Sequence, residues 1–232
     1  ELADLLPGAR IARMDQDTTR GRHAMDRILT GFAQGAIDVL VGTQMVTKGL
    51  DFEHVSVVGI LNADNLMRFP DFRAHERAFQ LMAQVAGRAG RRSKAGTVII
   101  QAQDVNHPVL DLVMRNDVEG MYQRELEHRR AHGYPPYTRL IRITLRHRHE
   151  ERVAATAQAL SQALKERLGD RVLGPEIPAV AWVNDRHIRN LLVKIQRSTH
   201  QVEKAFVRDT IDELMAQPGH RTVQLITDVD PV

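Results

Sequence analysis

Across its 232 residues the chain has no cysteine. That excludes thiolate nucleophiles, zinc–thiolate centres, iron–sulfur clusters and a disulfide scaffold. Lysine is scarce as well: Lys48, Lys94, Lys165, Lys194 and Lys204 stand against 27 arginines. No stretch approaches the roughly 18 apolar residues that a membrane-spanning helix needs, and no signal peptide opens the chain. The expected setting is therefore cytoplasmic, with no membrane partner. There is no G-x-x-x-x-G-K-[ST] loop to cradle phosphates and no D-E-x-H-like magnesium motif. The first residues, Glu1-Leu2-Ala3-Asp4, include no initiator Met, so the chain reads as a piece of a longer protein.

What remains is ordinary globular composition, 43% apolar and 26% charged, with a formal net charge of +3. At this length one large or two small domains are expected. The arginine bias has two readings. A guanidinium is a rigid fork for phosphate, and G·C-rich coding produces the same bias without any function.

The order of elements is legible from periodicity. Leu2 to Leu6 reads as a helix tail stopped by Pro7-Gly8, and Ile11 to Met14 as a strand. A helix is predicted over Arg20–Gln34, with Met25, Ile28, Leu29 and Phe32 at helical spacing. Val39–Val41 and Val55–Leu61 are nearly continuous apolar runs, the mark of strands buried on both faces of a parallel sheet. A helix over Asp71–Ala86 and a strand over Thr97–Ile100 complete an α/β parallel-sheet domain at residues 1–104. Residues 105–132 read as connecting helices, broken by Gly133-Tyr134-Pro135-Pro136-Tyr137. Over 133–232 the order is strand (Leu140–Leu145), helix (Glu150–Leu168), strands (Ala179–Val183 and Asn190–Ile195), helix (Thr199–Met215) and strand (Thr222–Thr227). That is the split βαβ pattern of an α+β domain.

Two motifs carry chemistry. Gln84-Val85-Ala86-Gly87-Arg88-Ala89-Gly90-Arg91 spells Q-x-x-G-R-x-G-R between a helix and a strand. Its glycines permit a tight turn and close approach, and its two arginines, three residues apart, suit the charge on a transferring γ-phosphoryl group. Alone, it is equally a Gly/Arg-rich turn at a solvated helix end. The second motif follows the strand at Val39: Gly42-Thr43-Gln44-Met45-Val46-Thr47-Lys48-Gly49-Leu50-Asp51-Phe52. Loops beyond the carboxyl ends of parallel strands are where open α/β sheets bind ligands. Thr43 and Gln44 can contact a phosphodiester backbone without base preference.

Together, in this order, the pair resembles motifs V and VI of the second RecA-like lobe of superfamily 2 helicases. Val55 to Arg91, the Tyr-Pro-Pro-Tyr junction and Asp228-Val229-Asp230-Pro231 further resemble the primosomal replication-restart helicases. One departure is Leu50-Asp51, where many members carry a histidine after the lysine–glycine pair. The resemblance implies helicase lobe 2 followed by a C-terminal domain. It implies ATP-dependent 3′-to-5′ unwinding and reloading of replication at stalled or D-loop-like forks. Arg88, Arg91 and Gln84 would be catalytic, with Arg91 acting as an arginine finger. Gly49, Asp51, Gly87, Arg88 and Arg91 would face ATP, while Thr43, Gln44 and Lys48 would face DNA. ATP and Mg2+ would be shared with another lobe, and zinc is expected only upstream of this chain. Implied partners are forked and single-stranded DNA, other primosome proteins, and the acidic tail of single-stranded DNA-binding protein docking near Arg197, His200 and Lys204. A RecG-like branch-migration translocase and a non-catalytic DNA- or protein-binding adaptor are the rival readings.

The other conspicuous residues carry plainer readings. Asn62 and Asp64 lie at a family D-x-D position or simply cap a turn. Arg139, Arg142, Arg146, Arg148 and Arg152, with His147 and His149, either contact a nucleic-acid backbone or guard an exposed strand edge. Phe206, Val207 and Trp182 read as core, the last in preference to a base-stacking platform. Asp212-Glu213 reads as a solvated helix face, and His128 and His132 as a helical pair without a metal.

Overall fold

The computed structural model describes residues 1–15, 23–43, 55–87, 89 and 96–231. They divide into two compact units, Glu1–Glu125 and Leu126–Val232. The whole is a mixed α/β protein, with parallel pairing in the first unit and antiparallel pairing in the second. No helix among the described residues is long and apolar enough to cross a membrane.

In the first unit, helix α1 (Leu2–Leu5) leads to strand β1 (Ile11–Met14), helix α2 (Ala24–Ala33) and strand β2 (Val39–Gly42). β1 and β2 pair in parallel, Ile11 opposite Val39 and Met14 opposite Gly42. Arg10 locks this unit of structure. Its backbone N–H and Nε both donate to Asp38 Oδ2 at 2.8 Å, and Nη2 donates to Asp38 Oδ1 and Gly35 O at 2.6 Å. These bonds hold the Asp38 carboxyl well below its usual range.

Strand β3 (Val57–Ile60), helices α3 (Asp64–Met67) and α4 (Ala74–Ala86) and strand β4 (Thr97–Ile100) follow, with β3 and β4 parallel. Two more helices, α5 (Pro108–Arg115) and α6 (Val118–His132), complete the run. Pro108 at the first turn of α5 and Asn116 in the left-handed conformation at its end separate the two, since a left-handed residue terminates helical bonding. The core gathers Ala63, Met67, Ala78, Phe79, Met82, Val109, Leu110, Val113 and Met121. The i, i+4 spacing of Ala74, Ala78 and Met82, with Phe79 beside them, gives α4 one buried face.

The parallel strands depart from the sequence reading. Among the described residues they form two separate two-stranded sheets, and neither is buried on both faces. In β3 and β4 exposure alternates. Ile60 and Ile100 pack on the core while Val57 and Ile99 face outward. A four-residue apolar run fixes that one face is wanted inside. Whether the second is covered depends on elements the run does not encode.

The second unit is a sheet in the order β6–β8–β5–β9, every pair antiparallel, from β5 (Thr138–His147), β6 (Val172–Glu176), β8 (Arg186–Gln196) and β9 (Gln224–Val229); the two-residue β7 (Trp182–Val183) pairs with β8. Helices α7 (Glu150–Leu168) and α8 (His200–Ala216) cover one face. The pattern is clear in the residues. Ile141, Ile143 and Leu145, with Leu191, Val193 and Ile195, alternate at period two toward the helices, and Val153, Ala157, Leu160, Leu164 and Leu168 answer at helical spacing. Each fully buried aliphatic side chain here contributes about 1.5–3 kcal/mol of transfer free energy.

Three expectations change. The strand predicted over Ala179–Val183 is only Trp182–Val183, and the flank of β8 away from β5 includes the unpredicted Val172–Glu176. Gly174 and Pro175 disguise it, because both weaken strand propensity. Gly174 is required there: its φ is +98°, and a Cβ would lie 2.7 Å from the Asn190 carbonyl oxygen. Next, β5 lies between β8 and β9 and is no edge, so its arginines guard none. Lastly, Trp182 is 49% exposed and outside the core. Val207 is buried in the core and Phe206 packs against it half-buried, while Asp212 and Glu213 are exposed.

Candidate nucleotide and nucleic-acid interface

The carboxyl ends of β1 and β2 lie side by side, because Met14 and Gly42 are register partners. The next residue on each strand is Asp15 and Thr43. Thr43 is exposed at this strand end. Asp15 is buried and paired with Arg13. Residue-by-residue reading passed over Asp15, although its signal was present: a carboxylate directly after an apolar strand, at the strand end where α/β sheets bind ligands. Gln44, Lys48, Gly49 and Asp51 lie outside the described residues.

α4 carries the start of the Q-x-x-G-R-x-G-R motif. With Ala78, Phe79 and Met82 buried, Gln84 falls on the opposite side of the last turn and is exposed. Gly87 caps the helix with φ −63° and ψ −3°, and the Gly87 N–H donates to Ala83 O at 2.9 Å. Its backbone is right-handed, and an added Cβ would make only ordinary contact, 3.4 Å from Ala83 O. The tight-turn role expected of Gly87 is therefore not required by its own conformation. Arg88 and Arg91 lie outside the described residues.

Asn62 and Asp64 have a structural role. Asn62 adopts φ +55°, and Asp64 is buried at the start of α3. Asp64 Oδ2 accepts the Gln103 N–H at 2.8 Å, tying α3 to the chain after β4. Backbone donors, that of Gln103 foremost, lower its pKa. No side chain among the described residues caps this turn; the Asp64 carboxylate instead clasps the chain after β4.

In the second unit, the stretch ahead of α8 is tied to the Tyr-Pro-Pro-Tyr turn. The Arg197 Nη1 donates to Pro136 O at 3.1 Å, and Lys194 Nζ donates to His132 O at 2.6 Å, lying 4.1 Å from the Tyr134 ring centre. Burial lowers the Lys194 pKa. Arg197 remains exposed; His200 and Lys204 are half-buried on the first turns of α8. His200 Nδ1 lies 2.9 Å from Arg197 O. Asp230, with φ +54°, accepts from Arg139 Nε at 2.9 Å and from the Leu140 N–H at 3.2 Å, which fastens the end of β9 to the start of β5. Arg139 is thus committed internally, and its hydrogen bonds hold the Asp230 carboxyl low. His128 and His132 stack at 4.3 Å between ring centres.

Residues 2–93 match the family described as Helicase conserved C-terminal domain, and residues 130–232 match Primosomal protein N C-terminal domain. The Replication restart protein PriA of Bacillus subtilis is 38% identical over all of this chain, that of Treponema pallidum 40% over 98% of it, and that of Synechocystis 37% over all of it. The chain belongs to the PriA family. It spans 29%, 34% and 27% of those three PriA proteins. Measured against PriA, the two motifs fall in the helicase match and the Asp230 clasp in the primosomal one.

Proposed function

We propose that the chain forms the C-terminal part of an ATP-dependent, 3′-to-5′ DNA helicase of replication restart, comprising RecA-like lobe 2 (1–104), connecting helices (105–132) and a split βαβ C-terminal domain (133–232). The observation that carries this reading is the conjunction of Gln84-x-x-Gly87-Arg88-x-Gly90-Arg91 with a likeness, along the whole of this chain, to part of the replication restart proteins. Arg88 and Arg91 would sit on the γ-phosphate, with Gln84 coupling the nucleotide to the cleft between lobes; Gly49, Asp51 and Gly87 would line its near wall. Thr43, Gln44 and Lys48 would track the DNA backbone.

What fits this assignment in the described residues is placement. Gln84 and Gly87 stand exposed at the end of a helix anchored by its opposite face, and Thr43 at a strand's carboxyl end. ATP with Mg2+ would supply the transferring phosphoryl group and its counter-charge; this chain supplies guanidinium groups and no phosphate cradle. The second unit would receive primosome partners, among them the acidic tail of single-stranded DNA-binding protein.

DNA-stimulated ATP hydrolysis by the full-length protein, set beside that of the 232-residue chain alone, tests this assignment. Hydrolysis stimulated by forked DNA in the first and none in the second supports it. Turnover by the chain alone, or a full-length protein inert with every DNA, contradicts it.

A further inference from the structure

Trp182 is the chain's one tryptophan, and it stands 49% exposed on a short hairpin. Trp182 and Val183 pair with His187 and Arg186, and the two turn residues, Asn184 and Asp185, both have positive φ (49° and 64°). That is the conformation of a tight type I′ turn, whose twist matches that of the strands it joins. The hairpin therefore fixes the backbone that carries Trp182. Its cross-strand partner His187 lies edge-on, with ring centres 4.4 Å apart and planes at 78°. An indole this exposed gains little from burial. Neighbouring Ile177 and Val180 are also exposed, so no local core explains it.

His187 is shared with a cleft of about 690 Å³ that also takes in Arg148, Glu150, Arg152 and Arg189. Two carboxylates reach this cleft, those of Glu150 and Glu151. Glu150 is already engaged: Arg189 Nη2 donates to its Oε1 at 2.6 Å, and His187 Nδ1 lies 4.0 Å from its Oε2. Arg148 makes no hydrogen bond or ion pair with any described residue, and Arg152 only reaches Thr222 Oγ1 at 3.4 Å. Both are exposed. His187 thus borders both an exposed aromatic face and a cleft in which two guanidinium groups have little to bind, with the Glu151 carboxylate beside them.

From this juxtaposition we propose that the Trp182 hairpin and the Arg148–Arg152 cleft form a binding site for an unpaired polynucleotide strand. A base stacks on Trp182 while the neighbouring phosphates meet Arg148 and Arg152. Stacking on an aromatic side chain tolerates any base, and guanidinium groups track the backbone regardless of sequence. An acidic peptide would use the arginines but would leave the indole without a planar partner. The site is independent of the nucleotide-facing motifs and stands whether or not the ATPase assignment holds.

The single tryptophan makes the test local. Oligo(dT) titrated into the 232-residue chain should quench Trp182 emission to saturation, with apparent affinity falling as salt rises. Trp182→Ala should weaken binding of labelled oligo(dT) by on the order of ten-fold, the scale of one lost stack, while Trp182→Phe retains most of it. Arg148→Glu with Arg152→Glu should abolish the quench, and Arg142→Glu, on the sheet face away from the helices, should leave it intact. Oligo(U) quenching as well as oligo(dT) would assign the site to unpaired strands of either sugar. Unfolding curves matching wild type confirm that each variant folds. Unquenched emission at saturating oligo(dT), or Trp182→Ala binding as wild type does, overturns the proposal. So does quenching by poly-glutamate but not by oligo(dT), which would make this a protein-docking surface.

Discussion

Glu203 shows how one residue holds the second unit together. It is 6% exposed, yet ionised, and its partners explain why. Burial pushes its pKa up, but the Gln196 N–H at 2.9 Å, the Arg171 guanidinium at 2.8 and 2.9 Å, and Thr199 Oγ1 at 2.9 Å outweigh burial and leave it lowered from 4.5. The carboxylate thereby joins the end of β8, the start of α8 and the turn before β6. A folded-state pKa below the unfolded one gives stability that is present above the unfolded value and is lost as pH falls through the folded one. Glu203→Ala should cost on the order of 3 kcal/mol near pH 7, the usual result of removing one partner from a buried charge network. Urea unfolding checks this. The gap between variant and wild type should narrow as pH drops below 4.5, and a gap independent of pH would mean that packing, not charge, makes the contribution.

At the scale of elements, the start of α8 tests the proposed capture of an acidic tail. Cations beside apolar surface are the usual arrangement for acidic-motif recognition, and Arg197 ahead of α8, with His200 and Lys204 on its first two turns, would supply them. Exposed Val202 adds apolar surface on the same helix. A labelled acidic tail peptide should bind the chain with an affinity that falls with salt, and Arg197→Glu combined with Lys204→Glu should remove binding. Binding unchanged in that variant would place the contact elsewhere, with the exposed arginines between 139 and 152 next. The same elements show what was legible in sequence. Helices α7 and α8 and strands β5 and β8 came through because their burial is one-sided and periodic. Strand β6 did not, since Gly174 and Pro175 hide a pairing that depends on the close approach of Asn190. Nor did the exposure of Trp182. An apolar neighbourhood in sequence, Ala179 to Val183, says nothing about whether a hairpin packs or projects. At the candidate nucleotide site, the placement of Thr43 and Gln84 was legible, whereas the buried Asp15 needed the β1–β2 register to bring it to the same end as Thr43.

For the whole molecule, two units with different pairing rules match two families in order along the chain. The first carries residues suited to phosphate. The second is a sheet covered on one face by two helices, with Glu203 and Arg189 as buried charges. The central claim is that Arg88 and Arg91 act on the nucleotide; it rests on their motif and on the exposed end of α4, Gln84 and Gly87, that leads into it. Removing an arginine finger typically costs about 10³–10⁵ in turnover, whereas a solvated surface arginine costs little. The most direct measurement is forked-DNA unwinding and ATP hydrolysis by the full-length protein carrying Arg88→Ala, Arg91→Ala or, one residue beyond the motif, Arg92→Ala. The account predicts that the first two abolish both activities with fork binding nearly normal, and that Arg92→Ala is mild. Equal behaviour of Arg88→Ala and Arg92→Ala would contradict it.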